Sequence, residues 1–179
     1  MEIQAALDVA DETDSFLQIT DVIYDKESEM GYDSLTEAEK TVYCIDQLLS
    51  EMENGGFVQF IHHEAGARAE ETLESLERIK AKETSILLDR LLDMFEDRQV
   101  PADEDERVDL FDQIESEHAD EIAELDDRFY DSGENLVELT LLFSLSIIAS
   151  SIASVVLCAI ELQELLFKRN ILLKLAFPR

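Results

Sequence analysis

Between Asp103 and Asp127 the chain sets thirteen carboxylates against one base, Arg107. They are Asp103, Glu104, Asp105, Glu106, Asp109, Asp112, Glu115, Glu117, Asp120, Glu121, Glu124, Asp126 and Asp127. Carboxylates can move protons, ligate metals or present a negative surface. Acid–base catalysis needs carboxyl groups in contrasting environments that push their pKa values apart, and a run this uniformly acidic offers no such contrast. Asp103 to Glu106 begin like a calcium loop but lack the central glycine and the terminal glutamate at the required spacing. Diffuse, weak binding of divalent cations is expected there, not a dedicated site. Among the histidines, His62-His63-Glu64 and His118 could suggest metal ligation. Adjacent histidines do not share a helix face, however, and HExxH spacing is absent, so they read as surface or capping residues. Cys44 and Cys158 lie in apolar contexts outside any CxxC or Cys/His cluster and read as buried, reduced thiols. No Ser/His/Asp set, phosphate-cradling glycine loop or nucleotide motif is present. The expectation is a non-enzymatic protein with no cofactor and no dedicated metal, whose candidate site is the acidic surface itself.

That surface needs one long helix to carry it. Phe111, Ile114, His118, Ile122, Leu125 and Phe129 recur at helical spacing and form a narrow seam that packs on the rest of the chain. Asp103 to Asp127 as a helix spans roughly 36 Å, or one carboxylate per roughly 3 Å. A DNA strand carries one phosphate per about 3.4 Å. Any acidic helix gives a similar figure, so the face is either a solvated, solubilising surface or something a partner reads.

The charge is uneven. The 179 residues carry a formal net charge of −29. Residues 1–138 hold 41 of the acids and 10 of the bases, and residues 139–179 hold 2 acids and 4 bases. Such a balance repels nucleic acid and anionic membranes and selects basic partners. A hydrophobic content of 46% is enough for a real core, which argues against an acidic disordered tail. The N-terminus has no basic region followed by an apolar one and does not read as a signal peptide.

Residues 1–13 are acidic and weakly patterned and read as frayed or loosely docked. A helix from Asp14 turns Phe16, Ile19, Ile23 and Met30 inward and stops at Gly31. Thr36 and Glu39 form a capping-box pair. They open a helix with Val42, Ile45, Leu49 and Met52 inward, which Asn54-Gly55-Gly56 ends. Two helical turns then drop Phe57, Phe60 and Ile61 onto the core. Helices follow over about 67–81 (Leu73, Leu76 and Ile79 inward) and 83–96 (Ile86, Leu87, Leu91, Met94 and Phe95 inward). Val100-Pro101 breaks the pattern, and the long acidic helix runs from there to Asp131-Ser132-Gly133. The fold class is all-α, a compact array of five or six helices with a long acidic helix, plus an apolar C-terminal helix. The division is an acidic helical segment over 1–34, an acidic all-α domain over 35–138 and an apolar tail over 139–179.

Three stretches together resemble a family of small acidic bacterial proteins, first catalogued as a domain of unknown function, whose known member is a DNA mimic. The first is LTEAEKTVYCIDQLLSEMENGGFVQF, centred on Asn54-Gly55-Gly56-Phe57. The second is Val100-Pro101 followed by Arg107, and the third is LDDRFYDSGENL, Leu125 to Leu136. The resemblance covers about Leu35 to Leu141. It implies an all-α cytosolic homodimer whose carboxylates imitate duplex phosphates on the DNA-binding surface of a helix-turn-helix repressor, without contacting nucleic acid directly. Asn54, Gly55, Gly56 and Phe57 then serve as a structural signature. Alternatives are an immunity-type or other binding protein for a different basic target, and a membrane-attached acidic protein.

The last alternative comes from the tail. Leu139 to Ile160 is 22 residues without a charge, long enough to span a bilayer. Lys168, Arg169, Lys174 and Arg179 beyond it would favour a cytosolic C-terminus, which sits poorly with a cytosolic target for the acidic domain. A reading-frame product and a helix buried in an oligomer are the other two readings of this segment.

Overall fold

A computed structural model describes residues 12–153 of the chain. The expectations for residues 1–11, for Cys158, for the end of the apolar run and for the basic residues after it lie outside the described residues. The chain divides into two units, Met1–Phe143 and Ser144–Arg179.

The first unit is all-α, with no strand among the described residues. Helix α1 (Glu12–Met30) is followed by a 3-10 turn (Tyr32–Ser34) and then by α2 (Glu37–His62). After a second 3-10 turn (Glu64–Arg68) come α3 (Ala69–Ile79) and α4 (Lys82–Leu92). A third such turn (Glu96–Arg98) precedes α5 (Glu104–Asp131). A sixth helix, α6, is described over Leu136–Ala153, and its residues up to Phe143 belong to this unit.

Helix α2 is the hub, packing against α1, α3 and α5. It starts at the capping box read from the sequence. The Glu39 N–H donates to the Thr36 hydroxyl (3.3 Å), and the Thr36 N–H donates to the Glu39 carboxylate (2.7 Å). Each such pair satisfies helix-end donors that would otherwise go unbonded. Gly55 and Gly56 leave helical geometry, so the last turns from Phe57 to His62 set off in a new direction. That bend puts Phe57, Phe60 and Ile61 fully inside the core, beside Ile45, Leu48 and Met52. Full burial of such side chains contributes about 1.5–3 kcal/mol each. A smaller cluster of Phe16, Ile19, Ile23, Val42 and Leu141 holds α1 and the start of α6.

Several expectations are corrected. Met30 is 68% exposed and Ile86 is 47% exposed, although both were read as inward. Met30 is the last residue of α1, beyond the part that α2 covers. Ile86 has the right period but sits next to Leu87 and Leu88, which take the two core positions of that turn. Leu49 and Met94 are partly buried at the edge of the core. The helices read as 67–81 and 83–96 are shorter, because Lys80 adopts a left-handed conformation (φ 66°) that closes α3. Helix α5 is not one unbroken helix: His118 leaves helical geometry (φ −122°, ψ 19°) and drops out of the seam. Its side chain is 42% exposed and faces Glu121. The break spares a polar ring from burial, while Phe111, Ile114, Ile122 and Leu125 on either side stay in the core.

Two helix ends are capped from far away in sequence. Ala81, before α4, has no side-chain cap of its own. The Glu134 carboxylate fills that role, accepting from the Thr84 N–H (2.9 Å), the Thr84 hydroxyl (2.7 Å) and the Glu83 N–H (3.3 Å). A carboxylate there also complements the positive end of the helix dipole. Helix α6 is long and apolar enough to cross a membrane by length and composition. Its first turns bury Leu136, Thr140 and Leu141 within the first unit. In the second unit, described over residues 144–153, it exposes Leu145, Ile147 and Ile152.

Candidate partner-binding face

The acidic face of α5 rests on three supports. The first is its own start: Asp103 is the N-cap, its carboxylate accepting from the Glu106 N–H (3.1 Å). Glu104, Asp105 and Glu106 fill the first turn, where negative charge is favoured by the helix dipole.

The second support is Arg107. It is 1% exposed, the largest fully buried side chain among the described residues. Its Nε donates to the Ile61 carbonyl (2.8 Å) and its Nη2 to the His63 carbonyl (2.8 Å). Its Nη1 reaches the Pro101 and Ala102 carbonyls at 3.0 and 3.1 Å. One guanidinium therefore ties the end of α2 to the segment that leads into α5. Burial lowers its pKa, opposed by Glu104, Asp103 and Glu64, but a guanidinium starts so high that it stays charged. Space around Ile61 is tight, since a Cβ on Gly66 would lie 2.2 Å from the Ile61 carbonyl oxygen. The sequence showed Arg107 as the lone base of an acidic run and as the arginine after Val100-Pro101 in the family resemblance, without a structural partner. Its isolation there, six residues after Pro101, was the available signal that it is structural.

The third support lies at the other end of α5. Asp126 accepts a hydrogen bond from the Phe57 N–H (2.9 Å), capping the turns that restart after Gly56. Gly56 is at φ +72°, and a Cβ on it would lie 2.5 Å from the Asp126 carboxylate. Only glycine meets both demands at once. Phe57 and Phe129 meet edge to face at 6.2 Å, and the Tyr130 hydroxyl donates to the Met52 carbonyl. Asn54 spends its side-chain amide on the Ser50 carbonyl (2.9 Å). Asn54-Gly55-Gly56-Phe57 and Leu125 to Tyr130 thus form one junction. Asp126, counted in the acidic face from the sequence, belongs to this junction.

Burial raises the Asp126 pKa, the Phe57 N–H lowers it and Asp127 raises it further, with a net upward shift. A carboxyl whose folded pKa lies above its unfolded value holds its proton more tightly when folded. Ionisation therefore weakens the folded state, and this loss is relieved as pH falls through the raised value. Asp126→Asn keeps an oxygen for the Phe57 N–H and removes the charge. It should match or exceed the parent in stability at neutral pH, with a flatter profile in urea unfolding between about pH 4 and 7. Asp126→Ala strands the buried N–H and should lose about 1–3 kcal/mol. A loss as large for asparagine as for alanine would show that the charge itself is what the junction needs.

Of the thirteen carboxylates, eleven are exposed; Glu115 and Asp126 are half-buried. None pairs with a lysine or arginine among the described residues. The charged contacts on this face are histidines, His62 with Asp112 (3.1 Å) and His118 with Glu121 (3.3 Å). Arginine and lysine pairs lie elsewhere: Lys26 with Glu39, Arg68 with Glu64, Arg78 with Glu37 and Glu74, and Arg98 with Glu70, Asp89 and Asp93. Asp120, Glu121 and Glu124 share one surface of the helix after the His118 break, and Glu117 is exposed just before it.

The four residues weighed for metal ligation do not come together. His63 faces Glu51 (3.0 Å), Glu64 pairs with Arg68, and His118 faces Glu121. His62 instead meets Asp112 and Glu115 of α5, and the donor atoms of the three lie within 4.8 Å of one another. Cys44 is buried beside the Tyr32 hydroxyl (3.5 Å), and burial raises its pKa, as expected of an inert thiol.

No curated protein and no solved structure matches the chain. The family model described as DMP19-like protein matches residues 33–146, well over half of the chain and all of α2 to α5. On that match, the chain belongs to the DMP19-like protein family.

Proposed function

We propose that the chain is a non-enzymatic DNA mimic, and that the exposed face of α5 occupies the DNA-binding surface of a basic helix-turn-helix protein. The observation that carries this reading is a row of exposed carboxylates with no arginine or lysine partner among the described residues. A helix-turn-helix protein holds DNA partly by neutralising phosphates with Lys and Arg. Carboxylates without internal cations can accept those side chains without first losing a partner. The 28 residues of α5 span about 42 Å, a little more than one turn of duplex. The DMP19-like family is a family of DNA mimics, which supports the same reading. A homodimer would offer two such faces to a target that reads two half-sites.

The test is a competition. A helix-turn-helix protein captured from the native host should release its labelled operator when this chain is added. Its affinity for the chain should fall at least about tenfold between roughly 50 and 200 mM salt. A partner that binds the chain and its operator at the same time, or whose affinity ignores salt, would exclude mimicry. The second reading, a binding protein for another basic target, would then take its place.

A further inference from the structure

We propose that His62, Asp112 and Glu115 form a divalent-cation site joining the end of α2 to the middle of α5. Neither helix holds it alone. Asp112 and Glu115 stand at i and i+3 and share a face of α5. His62 is the last residue of α2, and it reaches that face because Gly55 and Gly56 turn the final segment of the helix. Arg107 holds the same end of α2 through the Ile61 and His63 carbonyls, on either side of His62. The ligand-bearing backbone is therefore fixed from both directions.

The geometry suits a metal ion. Nitrogen and oxygen ligands at about 2.0–2.2 Å in a tetrahedral shell stand about 3.4 Å from one another. Here the donor atoms already lie within 4.8 Å, and the His62 Nε2 to Asp112 Oδ1 distance is 3.1 Å. Asp112 is 60% exposed at its side chain and free to adjust. A second observation points the same way. The His62 Nε2 atom is buried, yet it makes no hydrogen bond among the described residues despite its closeness to Asp112. The ring is held edge-on to Phe111, at 5.7 Å and 88°. A ring nitrogen 3.1 Å from one carboxylate and within 4.8 Å of a second, on a side chain 25% exposed and with no well-aligned hydrogen bond, suits a ligand set.

The donor set selects the ion. One imidazole and two carboxylates suit Zn²⁺ or Mn²⁺ better than Ca²⁺ or Mg²⁺, which prefer all-oxygen shells. Zinc should bind more tightly than manganese at such a site. With three protein ligands, a fourth position stays open towards solvent. Occupancy would add two positive charges to the α5 face and cross-link two helices. The site does not depend on the mimic reading; it would exist on this fold whatever binds α5.

The test uses the full chain stripped with a chelator and titrated with Zn²⁺ alone, at near-neutral pH and moderate salt. Expected are one saturable equivalent and a raised thermal midpoint. His62→Gln should weaken that equivalent at least about tenfold. The double variant Glu117→Gln/Glu121→Gln, on the same helix but outside the site, should leave it unchanged. If His62→Gln fails to give a folded far-UV circular dichroism spectrum, Asp112→Asn/Glu115→Gln serves in its place. Co²⁺ should give the visible absorption of a low-symmetry nitrogen–oxygen site in the parent and not in the site variants. Non-saturating binding shared equally by the parent and His62→Gln would overturn the proposal, showing only diffuse attraction to carboxylates. So would a saturable equivalent that survives loss of His62.

Discussion

Arg107→Met should lower the unfolding free energy by about 3–5 kcal/mol. Methionine fills most of the volume but donates nothing. Four carbonyl acceptors, on Ile61, His63, Pro101 and Ala102, would lose their shared partner, although the His63 carbonyl keeps the Gly66 N–H (3.0 Å). Each stranded group costs about 1–3 kcal/mol. Against that, the buried guanidinium no longer has to be desolvated, which returns several kcal/mol. The balance is still a loss, because the carbonyls lie at a helix end and in a proline-led segment that cannot bond each other. A small domain has about 5–15 kcal/mol in all, so the variant should be marginal. Arg107→Lys should fall between the two, since an ammonium is a point donor and cannot span four acceptors in a fixed fork. Urea unfolding of the three proteins decides the matter. A loss below about 1 kcal/mol for methionine would mean that the guanidinium's own desolvation nearly cancels its bonds.

Arg107 also shows where the sequence was readable and where it was not. Local signals held. Thr36 and Glu39 formed both bonds of their box, and Gly31 stopped α1 at φ +84°. The glycine pair turned α2, and the seam of α5 packed at Phe111, Ile114, Ile122 and Leu125. Each of these is decided within a few residues by φ, by a cap or by helical period. What failed needed knowledge of the neighbour. Period alone put Met30 and Ile86 inward, but nothing in the chain says how far α2 runs alongside α1, or which of three adjacent apolar residues α4 will bury. Caps that bridge 69 residues (Asp126 to Phe57) or 50 residues (Glu134 to Thr84) leave no trace in spacing. The same holds for His62, whose neighbours Asp112 and Glu115 sit about fifty positions away. The exposed face was the easy part, because a carboxylate with no lysine or arginine near it in sequence or among the described residues has solvent to face. Glu115 and Asp126 were the exceptions: Glu115 lies beside His62, and Asp126 had a structural donor to meet.

Neutralising Glu117, Asp120, Glu121 and Glu124 together as their amides should weaken binding to the helix-turn-helix partner by about 2–4 kcal/mol at low salt, roughly 30- to 1,000-fold. That figure allows each exposed charge about 0.5–1 kcal/mol. The four lie on the exposed side of α5, none has an arginine or lysine partner among the described residues, and among those residues Glu121 alone of the four has a charged contact, with His118. Their loss therefore touches one exposed contact, Glu121 with His118, and nothing in the core. Removing like charges from a chain of net charge −29 should if anything steady it. Weaker binding could then not be assigned to misfolding, and an unchanged thermal midpoint would confirm as much. A control separates the face from the total charge. Asp25, Glu29, Asp33 and Glu77 are also exposed, and they lie on α1, the turn after it and α3. Their amides make the same change in net charge away from α5. A general electrostatic attraction would weaken equally in both quadruple variants. A partner that reads carboxylates where it expects phosphates should respond to the α5 set alone, and the salt dependence of its affinity should become shallower in that variant and not in the control. Equal losses in the two would leave the acidic surface a solubilising one.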